Sequence, residues 1–130
     1  MRKETQKIAR AFLDRDRATA TRTRTDGESV FLHGNEIAFW NYGDVKTALC
    51  FTLAGWPSVT TRERINGILE LSGSNWRVKQ RNGEQFLTNP VTGSEVPLSD
   101  NACYYAPESD DDMPERMRGI EAITYSLLNQ

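Results

Sequence analysis

The chain has little with which to bind a metal or perform catalysis. It has one histidine, His33, and two cysteines, Cys50 and Cys103, among 130 residues. A structural zinc site draws four ligands from cysteine, histidine and carboxylate, so no metal is expected here. The cysteines lack C-x-x-C spacing and read as buried thiols, not as a disulfide. No P-loop, G-x-S-x-G, H-E-x-x-H or G-x-G-x-x-G stretch is present, so neither a cofactor nor a catalytic residue is expected. A small enzyme using His33 or Cys50 would need the two side chains within hydrogen-bond reach. No apolar run approaches the length of a membrane span, and no apolar signal core follows the basic N-terminus "MRKETQKIARAF". A cytoplasmic protein without a membrane partner is therefore expected.

Charge is plentiful but unevenly placed. The formal net charge is −2. Residues 1–25 carry eight basic and three acidic side chains, and residues 95–130 carry two basic and eight acidic ones. Such separation calls for an ionic partner, inside the chain or outside it. The length fits one domain spanning 1–130, with an acidic loop at 107–113 containing "ESDDD".

The element pattern is α+β. Ile8, Ala11 and Phe12 fall at helical spacing, which predicts a helix over 3–13. "TATRTRTDG" at 19–27 reads as a strand leading into an Asp26-Gly27 turn. That turn pairs Thr23 with Val30 and Arg22 with Phe31. A second turn at Gly34-Asn35 pairs Leu32 with Ile37 and Val30 with Phe39. A third strand over 45–53 completes an antiparallel meander. The two-residue period then directs Thr21, Thr23, Val30, Leu32, Ile37, Phe39, Leu49 and Phe51 inward. It directs Arg22, Arg24, Phe31, His33, Trp40 and Lys46 outward.

Beyond the Gly55-Trp56-Pro57 corner, Thr60 and Glu63 form a capping box that predicts a helix over 61–71. Gly67 inside it costs about 1 kcal/mol relative to alanine. Asn82-Gly83 predicts a second hairpin in which Arg81 faces Glu84, Lys79 faces Phe86 and Val78 faces Leu87. Arg77, Lys79, Arg81 and Phe86 then share a face opposite Trp76, Val78 and Leu87. A short extended piece is expected around 95–98. A last helix is expected from Asp112 to about Leu128, with Pro114 in its first turn. An N-terminal, a central and a C-terminal helix would thus cover one face of the meander.

The opposite faces set aromatic rings among cations. Single-stranded nucleic acid is bound where cations follow the phosphates and rings accept the bases. The candidate contacts are Arg22, Arg24, Phe31, Trp40, Lys46, Arg77, Lys79, Arg81 and Phe86. The bland alternative is a set of cross-strand contacts on a solvated face. The acidic run could serve as a charge switch that competes with phosphate for the basic face.

The stretches "TRTDG", "FLHGNEIAFW" and "AGWPSVTTRERING", within residues 23–67, resemble those of small, mostly uncharacterised tailed-bacteriophage proteins. The resemblance carries over no site residues. It implies a binding role, toward nucleic acid, a host or phage RNA polymerase, or anti-phage defence machinery. The charge layout is also similar to that of phage single-stranded DNA-binding proteins, except that a helical stretch follows the acidic run. The leading expectation is a non-enzymatic single-stranded DNA-binding cofactor of transcription or replication. The alternative is a protein-interaction module that inhibits or redirects a host complex. A homo-oligomer joining two basic faces is compatible with either.

Overall fold

The computed structural model describes residues 1–117. Helix α1 spans Lys3–Leu13. It is followed by β1 (Ala18–Ala20), β2 (Thr23–Thr25), β3 (Ser29–Leu32), β4 (Asn35–Tyr42) and β5 (Thr47–Thr52). Helix α2 (Val59–Leu71) leads to β6 (Arg77–Arg81), β7 (Glu84–Thr88) and β8 (Glu95–Leu98). The chain then returns to the first sheet through β9 (Cys103–Tyr105) and β10 (Glu115–Arg116). Seven strands form an antiparallel sheet in the order β1-β2-β3-β4-β5-β9-β10, and β6-β7-β8 form a second sheet. The fold is α+β, as the patterning predicts.

The threonine-arginine run is two strands, not one. A tight turn at Thr21-Arg22 separates β1 from β2, with Thr19 opposite Arg24. Arg22 sits there at φ 56°, and its carbonyl accepts the His33 amide at 2.8 Å. Thr21 and Arg22 are exposed at this turn, so neither takes the strand position expected of it. The next connection is also wider than expected. The Asp26 carboxylate accepts the amides of Glu28 and Ser29, both at 2.8 Å. This Asx-type turn lengthens the loop and sets Thr23 opposite Leu32, Arg24 opposite Phe31 and Thr25 opposite Val30. The shift is two residues, so every side chain keeps its face. Thr23 and Thr25 are buried while Arg24 is exposed.

A slip of the other parity occurs on β4. The β3–β4 turn is His33-Gly34, with φ 52° and 81°, the signs that a type I′ turn requires. Leu32 pairs with Asn35 and Phe31 with Glu36, but Val30 then pairs with Ala38 and Ser29 with Phe39. Ile37 is the extra residue of a β-bulge. A bulge moves everything beyond it to the other face of the sheet. Trp40, expected on the open face, lies instead against α1. Phe39, expected beneath the helices, lies on the opposite face with Cys50 and Met117. Strand β5 is shorter than expected and leaves Val45 97% exposed. Leu49 and Phe51 remain on the helix side.

Helix α2 starts earlier than the capping box suggests. Its N-cap is Ser58, whose hydroxyl accepts the Thr61 amide at 3.1 Å. Glu63 is thereby freed for a tertiary role. The N-terminal helix has the expected bounds, although Thr5 and Ala9, rather than Ala11, join Ile8 and Phe12 in the core. The helix expected from Asp112 is not seen over 112–117, where Glu115–Arg116 instead pairs with Tyr104 and Tyr105. The rest of that expected helix lies outside the described residues.

One core joins both helices to both sheets. It includes Ile8 and Phe12 from α1, Ile65 and Leu69 from α2, Val30 and Phe51 from the large sheet, and Val78 and Leu87 from the small one. The second hairpin has the predicted register throughout, from Arg77 opposite Thr88 to Arg81 opposite Glu84. Its edge strand is not left open at β6. The Asn66 side chain donates to the Val78 carbonyl at 2.9 Å and accepts the Val78 amide at 2.6 Å. These bonds satisfy an edge that would otherwise present unpaired backbone groups. Trp76 is wholly buried, and its indole N–H donates to the Ser109 carbonyl at 3.1 Å.

Arg64 is 3% exposed, yet it carries a charge into the layer between α1, α2 and β2. Its guanidinium donates to Thr23 Oγ1 at 3.1 Å and to Glu4 at 3.1 Å. It also donates to Thr5 Oγ1 and to Glu63, while Thr5 donates to Glu63. Arg64→Ala is expected to cost about 3 kcal/mol, the low end for a broken buried ion pair, because Glu4 and Glu63 retain solvent contact. Arg64→Lys should recover only part of this, since one ammonium cannot reach all of these oxygens. Urea unfolding midpoints measure both.

Gly67 faces the same layer. A Cβ built there lies 2.2 Å from Thr5 Cγ2, and Thr5 is held by Arg64 and Glu63. Gly67→Ala should therefore destabilise the protein, although alanine favours helix by about 1 kcal/mol. Adding Thr5→Ser, which removes the offending methyl and keeps the hydroxyl, should restore the loss in the same assay.

Glu36 follows the β3–β4 turn and accepts the Ser29 hydroxyl at 2.6 Å. Burial pushes its carboxyl above the ordinary range; the Ser29 bond lowers it and nearby Asp26 raises it. The folded state thus holds this proton more tightly than the unfolded chain, so ionisation of Glu36 opposes folding. Glu36→Gln should raise the melting temperature at pH 7. The gain should shrink as pH falls through the raised pKa, where wild-type Glu36 is itself neutral. Thermal scans across that range check the sign.

Candidate nucleic-acid interface

The nine expected contact residues do not form one surface. On the large sheet, the face opposite the helices keeps Arg24 and Phe31, paired across β2 and β3. The Arg24 guanidinium lies 4.1 Å from the Phe31 ring centroid, a cation–π contact. Arg22 is exposed in the β1–β2 turn, outside the strand ladder.

Trp40 is withdrawn from this face by the β4 bulge. Its ring stacks on Phe12 with centroids 5.1 Å apart, and its N–H donates to the Phe12 carbonyl at 3.2 Å. Arg15 covers the ring at 4.0 Å and donates to the Tyr42 hydroxyl at 2.8 Å, and Tyr42 donates to Glu28. The bond to Glu28 holds the Tyr42 phenol above its usual pKa. Trp40 therefore secures the end of α1 and offers no face for stacking.

Lys46 is in the β4–β5 loop, not in a strand. It pairs with Glu108 at 2.6 Å, and this bond raises the ammonium pKa above its ordinary value, with Asp112 and Glu115 adding to the effect. Asp110 of the acidic segment also lies against the protein, while Asp111 and Asp112 are exposed. Asp110 accepts the side-chain amides of Asn75 at 3.1 Å and Asn89 at 2.9 Å.

The second sheet brings the remaining residues together. Arg77, Lys79 and Arg81 alternate along β6, and Phe86 sits on β7 opposite Lys79. The Arg81 guanidinium lies 4.5 Å from the Phe86 ring centroid. It also grips Glu95 with both terminal nitrogens. This pairing raises the Arg81 pKa and lowers that of the Glu95 carboxyl. Arg77 donates to the carbonyls of Ser74 at 2.6 Å and Trp76 at 2.7 Å, which holds its guanidinium against the strand end. Lys79 is exposed and makes no side-chain hydrogen bond to another described residue.

Two grooves flank this face and share Lys79 and Gln80. One, of about 400 Å³, is lined by Arg81, Phe86, Thr88 and Asn89. The other, of about 600 Å³, runs between α2 and β6 past Arg62, Asn66 and Arg77. Arg62 is a residue the sequence reading missed. Its guanidinium donates to the Pro57 carbonyl at 2.6 Å and to Gln80 at 3.0 Å. Helical spacing alone marks it as a solvated residue near a cap, and only the packing of α2 on β6 places it beside Arg77.

The two residues considered for catalysis have unlike surroundings. His33 is exposed in the β3–β4 turn. Cys50 is wholly buried, facing Phe39 across the strands and packed with Met117. Cys103 is half-buried; burial raises its thiol pKa, a side-chain bond to Thr52 lowers it, and Glu36 raises it. Among the described residues no group of histidine, cysteine and carboxylate could hold a metal ion, and no helix is long and apolar enough to cross a membrane.

No curated protein and no solved structure matches the chain. The family model described as Kyanoviridae Gp96 protein matches residues 1–105, a span that runs from α1 through β9. The protein thus belongs to the Kyanoviridae Gp96 family, a family of tailed-cyanophage proteins.

Proposed function

We propose that this phage protein binds single-stranded DNA through the outer face of its second sheet and acts, without catalysis, as a cofactor in phage transcription or replication. The observation that carries this reading is the alternation of Arg77, Lys79 and Arg81 along β6 with Phe86 set opposite Lys79. Spacing of about 6.5–7 Å between alternate residues of a strand is close to the pitch of an extended nucleic-acid backbone. Lys79 meets phosphate as a mobile cation. Phe86, half-buried in the 400 Å³ groove, offers a ring that any base can stack on. Arg24 over Phe31 supplies a second, smaller contact of the same chemistry. A pI near 5.4 does not oppose this, because local charge decides such contacts.

The test is fluorescence anisotropy with a labelled unstructured oligonucleotide at several salt concentrations. Binding should weaken steeply with salt. Lys79→Ala with Arg81→Ala removes two phosphate contacts, which should reduce the log–log salt slope by about 1.4. Phe86→Ala should weaken binding about ten-fold or more through lost stacking, with little change in slope. An unaltered slope in the double variant would remove the second sheet from the reading. The same strand added to Arg24→Ala measures the share carried by the large sheet.

A further inference from the structure

The end of the large sheet holds a pocket that the strand-binding face does not use. It measures about 270 Å³ and lies between the β3–β4 turn and the corner after β5. Leu32, Ile37 and Leu53 line its buried side, each no more than 4% exposed. Trp56 stands beside it and is 69% exposed. His33 and Asn35, from the turn, reach it from the exposed side.

Trp56 is rigidly mounted although its ring is left in water. Its amide donates to the Leu53 carbonyl at 2.9 Å, and its own carbonyl accepts the Ser58 amide at 2.8 Å. That carbonyl also accepts the Thr61 hydroxyl at 2.9 Å. The preceding turn passes through Ala54 and Gly55 at φ 55° and 73°, and the Gly55 amide is bonded to the Asp100 carbonyl at 2.7 Å. A fixed backbone that presents a bare indole beside an apolar hollow is a preorganised stacking wall.

We infer that this pocket binds a planar, uncharged heteroaromatic ring of the nucleobase class. Three features select that chemistry. The volume suits one or two fused rings and lies below the range for drug-sized ligands. The lining contains no lysine, arginine, aspartate or glutamate, so nothing there answers a phosphate. Of the polar groups in the lining, the Thr61 hydroxyl is committed to the Trp56 carbonyl, which leaves the Asn35 amide, with a donor and an acceptor, and the ring nitrogens of His33 to meet the edge of a base. Neither side chain makes a hydrogen bond to another described residue. The pocket shares no lining residue with the grooves of the second sheet, and the inference does not rest on the proposed strand contact. The ring could come from a free nucleoside or from a base of a bound strand.

The experiment is a nuclear magnetic resonance titration of the full-length, nitrogen-15-labelled protein with adenosine and thymidine, and separately with a thymidine oligomer and an abasic strand of equal length. The expected result is a shift of the Trp56 indole and of the His33, Asn35 and Ala54 amides by the nucleosides, by the base-bearing strand, or by both. Response to nucleosides alone identifies a free ligand, and response to the base-bearing strand alone identifies a base within a strand. Trp56→Ala should weaken the response about five-fold or more, and Trp56→Phe should retain most of it. Because the ring is exposed, neither substitution should alter the melting temperature appreciably. Silence from nucleosides and base-bearing strand alike would overturn the inference. So would an undiminished response in Trp56→Ala.

Discussion

The fold depends on a buried cation. Arg64 is placed by α2 into a layer that α1 and β2 also enter, and its guanidinium contacts Thr23, Thr5, Glu4 and Glu63. Burying an isolated charge is prohibitively costly, so Arg64 is tolerated only because its donors meet oxygens from three elements. This requirement fixes neighbouring choices. Thr23 must point inward although it is polar. Glu63, which would otherwise serve a helix cap, turns to the arginine. Gly67 must lack a side chain so that Thr5 can stand close to α2.

The opening threonine-arginine alternation is explained by the same layer. Within β2, Thr23 and Thr25 face the core, and Thr23 supplies an acceptor to Arg64. Arg24 looks outward onto Phe31. Alternation by itself assigned the faces of Thr23, Arg24 and Thr25 correctly, although Thr21, expected inward, is exposed in the β1–β2 turn and the loop length also differed from expectation. A shift by two residues leaves the side-chain period intact, and a shift by one inverts it. That asymmetry accounts for the pattern of successes and failures along the first sheet. The Asx turn at Asp26 moved the β2–β3 register by two and did no damage to the assignment. The single extra residue at Ile37 exchanged Phe39 and Trp40. Nothing in "NEIAFWNY" announces a bulge, because Ile37, Ala38, Phe39 and Trp40 are all apolar and either parity buries hydrophobic surface.

The second hairpin was legible from end to end for the opposite reason. Asn82-Gly83 admits a two-residue turn with both φ positive, as found, and polar residues alternate with Val78 and Leu87 on either side. A slip of one would have placed Lys79 and Arg81 in the core, so the register had no competitor. The candidate face on this sheet was therefore visible in the sequence, residue by residue. Its neighbours were not. Arg62 and Asn66 reach the β6 edge only because α2 packs there, and helical periodicity describes a helix's own faces without naming what lies against them. The Trp56 pocket was equally hidden, because its walls come from a turn with the bulge residue beside it and from a corner on the far side of β5.

The uneven charge of the chain also has a structural consequence. The acidic segment does not lie along the basic N-terminal region. Glu108 pairs with Lys46, and Asp110 takes two neutral amides, from Asn75 and Asn89. These contacts place the acid between the large sheet and the small one, close to where Trp76 donates to Ser109. The segment thus closes over the buried end of β6 and consumes a cation that the sequence had assigned to nucleic acid. It leaves Lys79 and Arg24 uncovered by acid. A charge switch built on this segment would have to act through Lys46, whose partner is exposed and salt-screened, whereas the second-sheet face has its own internal competitor in Glu95, which holds Arg81. Phosphate arriving at that face would compete with Glu95, which already holds Arg81, and with Glu84 opposite it on β7, so selectivity there would depend on how readily Arg81 exchanges one oxyanion for another and on the ring of Phe86 beneath it.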